Sequence, residues 1–349
     1  MSHKGNWVED LHQQFMKMLN EMIEKDSESG KEIDVEQLIT GITQDTVNLM
    51  KSTLIKSSKK MLKEHRKLSS DFEKRNIKRW SKAFDLLETH IVICTEAGEE
   101  FNSSYRSAAV EGNNLVFDIV VRHHARACHI AQEILCLLKS GFADAAQARW
   151  RAIHEVNVTA MFIAKHGQDC AERFYFHDIV DSYDGILEHK KYEGRLQEKA
   201  ATQEEIDSCK EEYDEVISRY GKKFGDHYGW ASNIFPSYGR VGFTAIEKNV
   251  GLDHMRPYYK WASQNVPSGS KGMSNRLGLC EAKEDILLVG QSNSGMTDPA
   301  HATAISLTQI TSALLVLEPT LDHIVLMKIA REFQEDIGKA FLEIDQTNS

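Results

Sequence analysis

Apolar positions recur every three to four residues along most of this chain, the spacing that lines one face of an α-helix. Over residues 7–25 they are Trp7, Val8, Leu11, Phe15, Met18, Leu19 and Met22. A polar break at 26–30 follows. Asp34 then stands as an N-cap, with Gln37 at the capping-box position, for a helix running on from Val35. No proline occurs before Pro236, so nothing upstream removes a helix donor or wedges a turn apart. A long polar stretch to Lys82 feeds an apolar segment at 84–94, and residues 98–104 read as a loop.

The strongest periodicity lies between residues 113 and 165. Val116, Ile119, Val120, His123, Ala127, Ile130, Ala131, Ile134 and Leu138 fall on one stripe. Gly141 then supplies a C-terminal cap within a tight reversal. In the next helix, Ala148, Ala152, Val156, Thr159, Ala160 and Ile163 share a face. Trp150, Ile153, Met161 and Ala164 extend its apolar surface almost all round, so this helix is central, and Gly167 ends it. Two such helices joined by a short turn make an αα-hairpin.

Further helices are expected at 170–189, 202–220, 243–250, 257–265, 299–317 and 321–342. Between 221 and 242, glycines, Pro236 and the aromatics Phe224, Tyr228, Trp230, Phe235 and Tyr238 mark a loop with anchors, the kind that covers a site. Residues 267–272 read as flexible, 286–289 as a short strand and 291–298 as a polar loop. The expected fold is all-α: a multi-helix bundle on a central αα-hairpin, with an N-terminal helical arm over 1–100 and a helical core domain over 101–349.

Composition narrows the function. With 41% hydrophobic and 27% charged residues, the chain has the make-up of a soluble globular protein. No run approaches the roughly 18 apolar residues that span a bilayer, so no membrane association is expected. The opening residues lead into charged helix instead of an apolar signal core, and a cytoplasmic location is expected. Six cysteines lie scattered without a CxxC pair, against both a disulfide framework and a thiolate zinc site. Fifteen histidines include no HExxH and no paired Glu-x-x-His, so no metal is expected. With no Gly-rich phosphate loop and no G-x-S-x-G elbow, neither a nucleotide cofactor nor an acyl-transfer triad is indicated. The net charge of −10 hides a basic stretch: residues 51–82 hold twelve Lys/Arg, including Lys59, Lys63 and Arg66, against Glu64, Asp71 and Glu73. Such a stretch attracts phosphate backbones or serves as a solvated face.

Two constellations carry potential chemistry. Arg151 and Glu155 are spaced i,i+4 beside His154 in the central helix, either as an ion pair bracing the hairpin or as a ligand site joined by His301 or His177. The second is an Arg-x4–6-His pattern, the signature of helical ribonucleases of the HEPN type found in bacterial toxin and phage-defence systems. It occurs at Arg122/His129 and Arg149/His154. In such chemistry a histidine moves the proton while an arginine stabilises the phosphorane. At about 100° per residue the first pair shares a face, whereas the second diverges by roughly 140°.

Arg151-Ala152-Ile153-His154-Glu155 after the Gly141 turn, the Tyr/Gly-rich segment ending in Trp230, and Tyr258-Tyr259-Lys260-Trp261-Ala262-Ser263 occur in an order that resembles a bacterial helical family, domain of unknown function 5677, over about residues 115–317. In that family a histidine tends to follow the serine by four positions; this chain has Pro267 there. The resemblance implies helices, not a reaction. The leading expectation is a bacterial protein of phage defence or stress response, binding a partner or small ligand at the Arg151/His154/Glu155 core, with Trp230, Ser263 and His301 as further binding residues. The alternatives are a metal-independent ribonuclease using Arg122 and His129 across a dimer, and a nucleic-acid-binding module led by the basic helix. Nucleic acid, a protein partner and a second copy of the chain are all left open as partners.

Overall fold

A computed structural model describes residues 13, 15–21, 23–24, 35–264, 276–284 and 286–347. The expected polar break at 26–30, the Asp34 cap, the 267–272 segment and Pro267 lie outside these residues. Among the described residues the protein is all-α, with no strand. The chain divides into two compact units, Met1–Phe72 and Glu73–Ser349.

Helix α1 runs over Val35–Glu111, its residues to 72 in the first unit and the remainder in the second. In the first unit, residues 15–21 are helical, and the Thr46 hydroxyl reaches the Met18 sulfur at 3.6 Å.

In the second unit, α2 (Leu115–Lys139) and α3 (Ala143–Phe176) form the expected hairpin. Asn114 caps α2, its side chain accepting from the Phe117 N–H at 3.0 Å. The reversal turns on Gly141 at φ 85°, a left-handed geometry that glycine adopts without a Cβ penalty. Gly167, at φ 76°, breaks the helical path of α3 where the periodicity ends, after which the helix resumes to Phe176. Residues 170–176 therefore extend α3, and α4 (Asp178–Leu196) starts separately after His177. A capping box between Thr202 and Glu205 opens α5 (Gln203–Tyr220). Short α6 (Phe243–Asn249) and α7 (Arg256–Gln264) follow, then α8 (Thr297–Leu315) and α9 (Leu321–Gln346).

The main core gathers Trp80, Phe84, Leu87 and Ile91 from α1, Ile130 and Ile134 from α2, Trp150 and Ile153 from α3, Leu307 and Ile310 from α8, and Phe341 from α9. Phe341 stacks on Trp80 at 5.5 Å and meets Phe84 edge-on at 5.7 Å. Side chains at 3–4-residue spacing on five helices thus bury one apolar body, the hydrophobic gain that sets this architecture.

Two expectations fail. Residues 98–104 are helical. Gly98 is there because a Cβ would sit 2.4 Å from the His124 ring, so the glycine is a packing notch between α1 and α2 and not a break. Residues 286–289 form no strand: Leu287 and Val289 are 94–95% exposed, with no neighbouring strand among the described residues to satisfy their backbone.

Two histidines sit deep in this core. His90 on α1 shares a hydrogen bond with the Thr308 hydroxyl at 3.2 Å, and His124 on α2 one with Thr311 at 3.0 Å. Burial lowers both imidazoles from 6.5 to about 4. The folded state therefore binds fewer protons than the unfolded chain between these values. Their contribution is complete above pH 6.5 and is lost as pH falls toward 4, costing about 2 kcal/mol for each by pH 4.5. Urea midpoints measured from pH 7 to 4.5 should fall steeply, and His90→Gln with His124→Gln should flatten that fall.

Candidate functional site

The i,i+4 pair in the sequence of α3 does form. Arg151 Nε donates to Glu155 Oε1 at 2.9 Å and also to the Tyr259 hydroxyl oxygen at 3.0 Å, while that hydroxyl donates to the same Glu155 oxygen. The Arg151 and Glu155 side chains are 37% and 36% exposed, so this half of the cluster lies at the rim. His154, one residue before Glu155, points inward. Its Nε2 lies 2.9 Å from Glu247 Oε1, both side chains wholly buried, and the Arg256 guanidinium pairs with the other Glu247 oxygen.

Tyr259 joins the two halves. Its ring lies 5.1 Å from the Arg151 guanidinium carbon and 5.1 Å from that of Arg256, with Phe243 at 5.2 Å and His154 at 5.7 Å. Burial, then donation to Glu155, pushes its phenol well above the usual range, so the hydroxyl stays protonated and available as a donor at neutral pH. Trp150 supports His154 from below at 5.4 Å and donates from Nε1 to the Ala302 carbonyl at 2.9 Å on α8.

The other proposed residues lie elsewhere. His301 packs against Gly338 of α9, where a Cβ would come within 2.7 Å of its Nε2, and His177 is taken up by the Asp226 carbonyl at 2.9 Å. The partners that reach the α3 residues are Glu247, Arg256 and Tyr259 instead. Ser263 spends its hydroxyl on the Tyr259 carbonyl one turn back, at 2.7 Å. Trp230 anchors its loop: its carbonyl accepts from buried Arg173 at 2.9 Å, and its ring meets Phe174 edge-on at 5.0 Å. Arg149 diverges from His154 as the helical angle requires, turning outward to Glu133. Arg122 and His129 are exposed on one face of α2, yet each already has a carboxylate, Asp118 at 2.7 Å and Glu133 at 3.4 Å. Lys59, Lys63 and Arg66 are exposed on α1 within the first unit. No group of metal-ligating side chains able to hold an ion is found among the described residues.

Glu247 and Arg256 carry no periodic signal of their own; a glutamate inside a short helix and an arginine before a proline read as surface residues. Tyr259 was visible only as part of a motif. What could have pointed to them is charge accounting, since a buried histidine in α3 needs a polar partner from outside its helix.

Residues 117–285 match the model of a family of unknown function, DUF5677. The matched span includes Arg151, His154, Glu155, Glu247, Arg256 and Tyr259; it leaves out α8 and α9 as well as the whole of α1. No curated protein and no solved structure matches the chain.

Within this cluster the arginines and carboxylates meet in pairs, Arg151 with Glu155 and Arg256 with Glu247, and the hydrogen bonds run between three elements. That arrangement clamps α6 and α7 onto the hairpin. Removing one partner of a buried pair leaves the other desolvated and uncompensated. Glu247→Ala should therefore cost about 3–5 kcal/mol in denaturant unfolding, whereas Glu155→Ala at the rim should cost about 1–2 kcal/mol.

Proposed function

We propose that the protein binds nucleic acid through a cationic face of α1 in its first unit, and that the Tyr259 cluster is the brace of its second. The observation that carries the reading is the placement of Lys56, Lys59, Lys60, Lys63, Arg66 and Lys67. All six are exposed. At 100° per residue they fall within roughly 120° of the helix circumference.

This face is costly to the helix itself. Lys56/Lys60, Lys59/Lys63 and Lys63/Lys67 are like-charged i,i+4 pairs, each destabilising by about 0.2–0.5 kcal/mol. A polyanion relieves that repulsion, and release of its counterions supplies the affinity. The contrast with a neighbouring basic residue supports the same conclusion. In the second unit Arg79, largely buried, is paired with Glu281 at 2.9 Å, so its charge is met within the protein. The remainder of the chain is strongly acidic, which repels a polyanion elsewhere and directs it to this face.

The test is fluorescence anisotropy with labelled nucleic acids across a salt series. A log–log slope between about −3.5 and −5 is expected, as four to six of the cations reach phosphates. The triple variant Lys59→Glu/Lys63→Glu/Arg66→Glu should lose binding with an unchanged thermal midpoint. A flat salt response, or undiminished binding by the triple variant, overturns the proposal.

A further inference from the structure

We infer that the nucleic acid is double-stranded DNA, engaged through its major groove; this rests on the nucleic-acid reading above and goes beyond it. The six cations are a seven-residue repeat: Lys56-Ser57-Ser58-Lys59-Lys60, then Lys63-Glu64-His65-Arg66-Lys67. Seven residues make about 700° of turn, so equivalent positions stand almost above one another, about 10.5 Å apart along the axis. The repeat therefore lays down three rails. Lys59 and Arg66 form one edge, Lys60 and Lys67 the other, and Lys56 and Lys63 run between them.

The edges are about 100° apart, which at the surface of a helix of about 5–6 Å radius separates them by roughly 8–9 Å. Lysine and arginine stems splay this further, toward the roughly 12 Å width of the B-form major groove, whose two walls are rows of phosphates. Each edge then meets one wall, and the middle rail faces the floor, where guanine offers acceptors to a lysine.

Other polyanions fit less well. A single strand presents one row of phosphates and is usually held by stacking its bases on aromatic rings. No Phe, Tyr or Trp occurs between Lys51 and Asp71. The major groove of an A-form RNA duplex is too deep and narrow to be read by side chains. An anionic bilayer also fits less well, because of the opposite face of the same helix. Val47, Leu54, Met61 and Leu68 repeat at seven-residue spacing, all exposed, and centre about 170° from the cations. A flat surface that took up this apolar stripe would leave the cations facing water.

The experiment uses the full chain and three labelled probes of equal length and mixed sequence: duplex DNA, single-stranded DNA and duplex RNA. At one moderate salt concentration duplex DNA should bind at least about tenfold more tightly than either of the others. A dye that fills the major groove should displace the protein, whereas a minor-groove ligand should not. Lys56→Gln/Lys63→Gln, which empties the middle rail while keeping both edges, should narrow the preference for duplex DNA, with helicity by circular dichroism unchanged. Equal affinity for all three probes, or competition by the minor-groove ligand alone, overturns this inference and leaves nucleic-acid binding standing. Binding to none of them, or to phosphatidylserine vesicles in their place, overturns both.

Discussion

The hydroxyl and ring of Tyr259 join the half-exposed Arg151–Glu155 pair to the buried His154–Glu247–Arg256 group, and through them three stretches of chain that share no continuous helix. Apolar packing explains why α1, α2, α3, α8 and α9 form one body, because their stripes are long and self-complementary. It does not explain why short α6 and α7 sit where they do. A seven-residue and a nine-residue helix bury too little to fix their own orientation. Directional bonds to α3 do so, and the burial of Glu247 makes them obligatory, since that carboxylate has no route to water.

The two units use charge differently. In the second, several acids and bases are matched across elements: Arg79 with Glu281, Lys139 with Glu88, Arg219 with Glu172, Arg256 with Glu247. In the first, cations are concentrated on one helical face at a cost to the helix that an external anion relieves. On this view the segment that matches a family of unknown function is braced by its ionic cluster, and the proposed binding surface lies outside that segment, on α1.

Most of the fold was legible in the sequence because helices announce themselves by periodicity, and this chain lacks the prolines that would interrupt them. The hairpin, its Gly141 turn and the break at Gly167 all followed from local pattern. Gly98 misled because the same residue type marks a chain reversal or a close approach, and only the His124 ring against it tells which. Leu287 and Val289 misled because an apolar run needs a neighbour before it is a strand. At the site, Arg151 and Glu155 were legible as an i,i+4 pair. Glu247 and Tyr259 were not, because each is set by a contact across 90 or more residues that no local rule encodes, and Arg256 was not, because its partner is the buried Glu247. The basic stretch was legible as composition, and its arrangement into three rails only once a continuous helix fixed the angles.

The claim on which the second unit depends is that His154 and Glu247 hold α3 and α6 together as one interaction. A double-mutant cycle with His154→Ala and Glu247→Ala, followed by urea unfolding, measures that coupling directly. Coupling above about 2 kcal/mol is expected for a wholly buried, hydrogen-bonded pair. Effects that simply add, to within about 0.5 kcal/mol, would contradict it.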